Sequence, residues 1–179
     1  LPGKAKRGPS CGLSSSEIMT IVIDFHQEGY RNFKDYYLKH VCLDLGGEFP
    51  NLPSYNRFVE LMSGVLLPLT AYLQSRYGKC TGISFVDSTA IAVCHNRRIR
   101  RHKVFKDLAA RGKTSMDWFF GFKLHLIVSD QGELLAAFLT PGNMDDREPL
   151  PQMTQDLFGK LFGDRGYISQ KLFEQLFAQ

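Results

Sequence analysis

The apolar residues in the first part of the chain recur at helical spacing. Ser14 and Glu17 stand three positions apart, which is the spacing of a capping box at the start of a helix. The pattern then predicts three helices, which begin near Ser14, Arg31 and Ser54. The third helix is expected to bend or end at Pro68, because proline cannot donate a backbone hydrogen bond inside a helix.

Beyond Gly82 the spacing of apolar residues changes from that of a helix to that of a strand. Four strands are predicted over residues 83–91, 120–128, 134–140 and 160–163, and two helices are predicted to begin near Asp146 and Ser169. This order requires an antiparallel meander, followed by a right-handed crossover to a strand that is parallel to the first. The predicted fold class is therefore α+β, with a mixed sheet and flanking helices preceded by a small all-helical region.

Two aspartates stand out against this pattern. Asp87 lies inside the first strand, on one face with Phe85 and Thr89, and Asp164 closes the fourth strand. A carboxylate inside a buried strand is costly unless a cation or hydrogen-bond donors compensate its charge. If the fourth strand lies beside the first, the two carboxylates become neighbours and can bind a hard divalent metal such as magnesium. Two metals about 3.5–4 Å apart are typical of phosphoryl-transfer sites.

Positive charge is concentrated between Arg97 and Lys113, where there is only one acid, Asp107. The eight basic residues of this segment, which we call the basic segment, are Arg97, Arg98, Arg100, Arg101, Lys103, Lys106, Arg111 and Lys113. Such density favours a polyanion, because each neutralised phosphate releases a condensed counterion. The segment begins within ten residues of Asp87, so a bound phosphate backbone is expected beside the metal site. A solvated, flexible basic loop is the alternative.

Composition narrows the function classes. The chain has 179 residues, 44% of them apolar, and a formal net charge of +4. It shows no signal peptide and no apolar run that approaches the roughly 20 residues of a membrane helix. Its four cysteines are widely spaced, which favours reduced thiols over a zinc ribbon or a disulfide framework. No nucleotide-binding glycine loop and no serine-nucleophile turn occurs.

Other candidate residues have structural interpretations. His125 is predicted to be a hydrogen-bonded sheet histidine rather than a metal ligand. Trp118 and Phe119 are predicted to anchor the second strand in the core, with stacking on a flipped base as the alternative.

Several segments together resemble the DDE transposases of bacterial insertion sequences. They are V-D-S-T at 86–89, F-F-G-F-K-L-H-L-I-V at 119–128, T-P-G-N at 140–143 and G-D-R-G-Y at 163–167. The run C-H-N-R-R-I-R-R-H-K-V-F-K at 94–106 and the run S-E-I-M-T-I at 16–21 resemble one particular group of these enzymes. The resemblance covers nearly the whole chain.

This resemblance implies a ribonuclease-H-like catalytic core that cleaves DNA and transfers strands with Mg²⁺ or Mn²⁺ in a two-metal site. It matches the first two catalytic, metal-binding aspartates to Asp87 and Asp164. The family's third carboxylate is a glutamate after a fifth strand, and no residue of this chain matches it. Glu174 comes too early to replace it, and Asp145 near the metal is a minor alternative. A truncated enzyme or a fragment is therefore expected.

The predicted domain organisation has three parts: a basic, flexible tail over 1–12, a helical region over 13–79, and an incomplete ribonuclease-H-like catalytic domain over 80–179. The helical region is either a DNA-reading helix-turn-helix or a purely structural bundle. The expected partners are element-end and target DNA and further copies of the chain on that DNA, in a bacterial cytoplasm. Two other functions remain open: an inactive DNA-binding remnant, and a nuclease or resolvase without joining activity.

Overall fold

The computed structural model describes residues 12–114 and 117–177, which belong to two compact units. The helical unit extends to Ser75 and the sheet unit begins at Arg76. The predicted basic tail, apart from Gly12, lies outside the described residues.

The helical unit has four α-helices: α1 (Ser15–Asp24), α2 (Phe33–Asp35), α3 (Tyr55–Met62) and α4 (Leu66–Ser75). The predicted capping box is present at the start of α1. The backbone N–H of Ser14 donates to Glu17 Oε2 at 2.6 Å, and the backbone N–H of Glu17 donates to Ser14 Oγ at 3.3 Å. The core of this unit combines aliphatic and aromatic side chains, and Tyr36, Tyr37 and Phe58 are fully buried.

The second predicted helix takes an unexpected form. Only α2 is α-helical, and the chain continues as a π-helix over Tyr36–Asp44. The backbone N–H of Leu45 donates to the carbonyl of His40 at 3.1 Å, five positions earlier. Hydrogen bonds with this spacing define a π-helix, which is rare and occurs frequently at functional sites.

The predicted break at Pro68 is wrong. The chain leaves α3 through a 3₁₀ turn at Ser63–Val65, before the proline, and α4 then continues to Ser75. Pro68 lies in the first turn of α4. Proline is tolerated there, because the backbone N–H groups of a first turn have no partner within the helix.

The sheet unit contains five strands: β1 (Ile83–Cys94), β2 (Ala110–Lys113), β3 (Trp118–Ser129), β4 (Leu134–Pro141) and β5 (Lys160–Phe162). β1 pairs with β3 in antiparallel fashion and with β5 in parallel fashion. β2 and β4 pair with successive parts of the other edge of β3. The predicted α+β class, with its ribonuclease-H-like mixed sheet, is confirmed, and β2 is a strand that the sequence pattern did not predict.

One face of the sheet is covered by two short helices, α5 (Leu150–Met153) and α6 (Gln170–Phe177). The buried core on that face consists of Val86, Ile127, Leu135, Leu150, Met153, Tyr167 and Leu172. Successive strand residues point to opposite faces, so Phe85 and Asp87 lie on the other face of β1, and both are exposed. The expectation of a buried Asp87 is therefore wrong.

The helix predicted from Asp146 begins later and is short. The Asp145 carboxylate accepts hydrogen bonds from the backbone and guanidinium of Arg147, and this turn occupies the predicted start. α5 begins at Leu150, next to Pro149, and has only four residues. Among the described helices of the chain, none has the length and apolar character needed to cross a membrane.

Candidate active site

The pairing of β1 with β5 brings the two predicted aspartates into register. Ile83 pairs with Lys160 and Phe85 with Phe162, a constant offset of 77 positions. The last paired residues are Phe85 and Phe162, and the same offset continued for two more residues would set Asp87 opposite Asp164. The backbone is still extended at Asp164 (φ −70°, ψ 179°), and neighbouring strands lie about 4.8 Å apart. Residues far apart in the sequence therefore become neighbours.

Both aspartates are exposed, and each carboxylate is held by a backbone donor. The N–H of Ser88 donates to Asp87 Oδ1 at 2.7 Å, and the N–H of Gly166 donates to Asp164 Oδ1 at 2.8 Å. No described residue donates a hydrogen bond to either Oδ2 atom, and no described cation forms an ion pair with either carboxylate. Each aspartate therefore offers a free anionic oxygen at the same edge of the sheet.

This donor set fits a hard divalent cation. Mg²⁺ prefers carboxylate oxygens and is commonly bound through one or two carboxylates together with waters and substrate phosphates. Asp87 and Asp164 supply two such groups, and their exposure leaves room for water and phosphate oxygens.

Tyr167 lies behind the aspartates, in the turn that follows Asp164. The residue is buried, and its hydroxyl makes no hydrogen bond of good geometry with any described residue. Burial raises the pKa of Tyr167 to about 12, against a partial lowering by the Ser88 side chain. The negative charges of Asp146, Asp87 and Asp164 raise this pKa further. The phenol therefore stays protonated and is surrounded by three carboxylates.

The raised pKa of Tyr167 predicts a pH effect on stability. The pKa of Tyr167 is about 12 in the folded protein and about 10 in the unfolded chain. The contribution of this proton to the free energy of unfolding is therefore fully present below pH 10 and is lost between pH 10 and pH 12. This loss amounts to roughly 2–3 kcal/mol of unfolding free energy in the wild type, and we expect it to be absent in Tyr167→Phe. Urea unfolding of the two proteins at pH 8 and at pH 11.5 measures the difference.

Tyr72→Phe, at an exposed position, is the control and should lose as much unfolding free energy as the wild type between these two pH values. Parallel pH curves for wild type and Tyr167→Phe would contradict the assignment.

A buried polar network continues from Tyr167 across the same face of the sheet. Lys123 Nζ donates to Asp146 Oδ1 and to the carbonyl of Met144, both at 2.9 Å. His125 is fully buried, with its Nε2 2.8 Å from Thr140 Oγ1, as expected of a sheet histidine. Burial lowers the pKa of His125, and Lys123 lowers it further, whereas Asp146 opposes the shift. Lys123 therefore compensates the charge of Asp146, and burial is the main cause of the lowered pKa of His125.

Neither alternative carboxylate takes the place of a third metal ligand. Asp145 is bound by Arg147 through contacts of 2.6 and 2.8 Å, which hold the pKa of its carboxyl far below the usual range. Glu174 lies in α6, where Gln170 donates to its Oε1 at 2.9 Å. Asp146 is a further carboxylate whose charge raises the pKa of Tyr167, but it already forms an ion pair with Lys123.

The basic segment occupies two elements beyond the end of β1. The arginines Arg97, Arg98, Arg100 and Arg101 lie in a 3₁₀ helix (Asn96–Arg101), Lys103 and Lys106 lie in the turns after it, and Arg111 and Lys113 lie on β2. All eight side chains are exposed, and none forms an ion pair with a carboxylate in the described part of the chain. Cys94 lies seven positions after Asp87 in the same extended strand, a separation of about 23 Å. The 3₁₀ helix is therefore not directly beside the aspartates, contrary to the sequence-based expectation.

A polar cleft connects β2 with the turn after Asp164. It has a volume of about 440 Å³, and its walls include Arg111, Lys113, Lys123, Asp146 and Gly166. Gly166 is the residue whose N–H holds Asp164. Arg111 and Lys113 are thus the members of the basic segment that line a cleft extending to the turn after Asp164.

The expectation that Trp118 is a core anchor is wrong. Its side chain is 56% exposed on the wall of the same cleft, with Lys113 Nζ 5.8 Å from the ring centroid. Phe119 is buried and anchors the strand. The strand period explains the difference, because adjacent residues face opposite sides of the sheet.

Sequence reasoning missed the network of Lys123, Asp146 and Tyr167. Lys123 offered a signal, because it lies in an otherwise apolar strand and on the same face as His125. A lysine at such a position requires an anionic partner. Tyr167 offered no comparable signal, since the position of its ring depends on the turn at Asp164.

A family model described as "Transposase DDE domain" matches residues 77–179, more than half of the chain. Comparison with curated proteins and comparison with solved structures gave no match.

Proposed function

Because the chain belongs to the transposase DDE domain family, we propose that it catalyses metal-dependent DNA cleavage and strand transfer for a bacterial insertion sequence. The observation that supports this proposal is the parallel register of β1 and β5, which leads toward Asp87 and Asp164, together with one free oxygen on each carboxylate. Family membership makes DNA the substrate class.

In the proposed reaction Asp87 and Asp164 hold Mg²⁺ or Mn²⁺ through their free oxygens. The bound metals would activate the attacking water or 3′-hydroxyl and stabilise the leaving oxygen of an in-line displacement. The backbone N–H groups of Ser88 and Gly166 fix the two carboxylates, so little reorganisation is needed when charge develops. Protonated Tyr167 keeps a further negative charge out of the site.

The proposed DNA path uses the basic segment and the cleft. Arg111 and Lys113 on β2 would hold phosphates near Asp164, and the 3₁₀ helix would hold phosphates further along the duplex. Exposed Trp118 offers a ring on which an unpaired base can stack. Two element ends are joined in transposition, so we expect further copies of the chain to assemble on the DNA.

The test is incubation of the protein, purified from its native source, with the DNA that flanks its coding sequence, in Mg²⁺, in Mn²⁺ and in EDTA. We expect nicked and joined products with either metal and none with EDTA, while DNA binding persists in all three. Binding without any product, with or without metal, would favour the inactive remnant. Hydrolysis without joined product would favour a nuclease or resolvase.

A further inference from the structure

The helical unit contains a second group of metal-ligating side chains, which plays no part in the proposed reaction. Asp24 at the end of α1, Glu28 in the following turn and His40 in the π-helix each direct one ligand atom toward a common point. These three atoms lie within 4.8 Å of one another. We call this group the Asp24–Glu28–His40 cluster.

The distances in this cluster are too long for hydrogen bonds and suit ligands around a shared ion. His40 Nε2 is 3.7 Å from Asp24 Oδ2 and 4.0 Å from Glu28 Oε2. Direct N–H···O bonds measure about 2.7–3.2 Å. A tetrahedral zinc ion with bonds of about 2.0–2.1 Å separates its ligand atoms by about 3.3–3.4 Å. Small movements of exposed Glu28 and of His40 would close the difference.

His40 is oriented by a contact on its other nitrogen. Its Nδ1 is 3.0 Å from Asp44 Oδ2, one turn further along the π-helix. When this nitrogen donates to Asp44, the Nε2 lone pair points at the two carboxylates. A carboxylate behind a histidine in this way is the common arrangement in zinc sites, where it fixes the ring and raises its basicity. If neither a cation nor a proton is bound at Nε2, the lone pair of this nitrogen and the carboxylate oxygens of Asp24 and Glu28 repel each other.

Tyr36 supports Asp24 from the buried side. Its hydroxyl is 2.8 Å from Asp24 Oδ2 and 2.9 Å from the carbonyl oxygen of Ile21, so it can donate its proton to either acceptor. Burial of Tyr36, followed by its hydrogen bond to Asp24 and the charges of Asp24 and Glu28, raises the pKa of this phenol. The Tyr36 hydroxyl therefore keeps its proton.

We propose that Asp24, Glu28 and His40 form a zinc site that joins the end of α1 to the π-helix, with water at the fourth position. Imidazole together with carboxylates suits Zn²⁺, whereas Mg²⁺ prefers oxygen ligands only. This site would be structural. It would stabilise an unusual helix by linking it to its neighbour, and it does not depend on the proposed DNA chemistry.

The test uses the whole chain, freed of metal with EDTA and titrated with ZnCl₂ by calorimetry in excess Mg²⁺. We expect one zinc ion per chain and a higher melting temperature on zinc addition. His40→Ala and Glu28→Gln should each weaken this binding at least tenfold. Glu28 is exposed and the substitution is isosteric, so the fold is retained, which circular dichroism verifies. CoCl₂ gives a second readout, because tetrahedral cobalt absorbs strongly in the visible range.

His26→Ala is the matched control, because this exposed histidine of the same unit lies outside the cluster. It should bind zinc as the wild type does. Equal zinc binding by wild type and His40→Ala, or binding lost only in Cys42→Ser, would overturn the proposal. The absence of zinc binding by the wild type would overturn it as well.

Discussion

Replacing Asp87 or Asp164 with asparagine is expected to lower the rate of strand cleavage and joining by about three orders of magnitude, roughly 4 kcal/mol in activation free energy. Asparagine keeps the size of the side chain but removes the anionic oxygen that each residue offers to a metal. DNA affinity should stay within about twofold, because the substitution leaves the basic segment unchanged. Gel-based assays of cleavage and of binding on the same DNA measure both quantities.

Asp156→Asn is the matched control, since Asp156 is an exposed aspartate of the same unit that lies outside the site. It should cleave and join at the wild-type rate. A separate titration with Mn²⁺ checks the site without relying on turnover, and each of the two active-site variants should bind Mn²⁺ more weakly. Full strand transfer by either variant in Mg²⁺ would exclude that aspartate from the site.

The second large effect concerns the 3₁₀ helix. Changing Arg97, Arg98, Arg100 and Arg101 together to alanine is expected to reduce the slope of log K against log [salt] by about 3 to 4, since each neutralised phosphate contributes about 0.9. All four guanidinium groups are exposed and free of carboxylate partners within the described residues, so their charge is available to DNA.

Binding measured between 50 and about 200 mM salt gives this slope directly. Lys171 is an exposed residue of α6, and its substitution by alanine should leave the slope at its wild-type value. A slope that does not change in the fourfold variant would remove the 3₁₀ helix from the DNA interface. Arg111 and Lys113 would then be the remaining candidates, because they line the cleft.

The sequence predicted four of the five described strands, since β1 and β3 alternate with a period of two and β4 and β5 are short apolar runs bounded by turn residues. It did not predict β2, where Arg111, Gly112 and Lys113 offer no apolar alternation. A strand of this kind forms because β3 presents an open edge, which is a property of the sheet and not of the segment. The same limitation applied to the π-helix, whose hydrogen-bond spacing has no separate signature in apolar periodicity.

The pairing of Asp87 with Asp164 could be predicted in outline from strand order and crossover handedness. Their exposure could not, because an apolar run looks the same whether one face of a strand is covered or both are. Only the positions of α5 and α6 show that the Val86 face is the covered one. The role of Asp146 depended likewise on a tertiary contact, the ion pair with Lys123.

The length of β1 has a consequence for the DNA itself. Asp87 and Cys94 belong to one continuous strand, so the 3₁₀ helix that follows is held at a fixed separation from the aspartates, about 23 Å from Asp87 to the strand end. With about 3.4 Å per base pair, this corresponds to roughly seven base pairs of duplex. Hydroxyl-radical footprinting should therefore show protected sugars about seven base pairs from the scissile phosphate. β1 would then set the position of the cut relative to the nearest arginine contact.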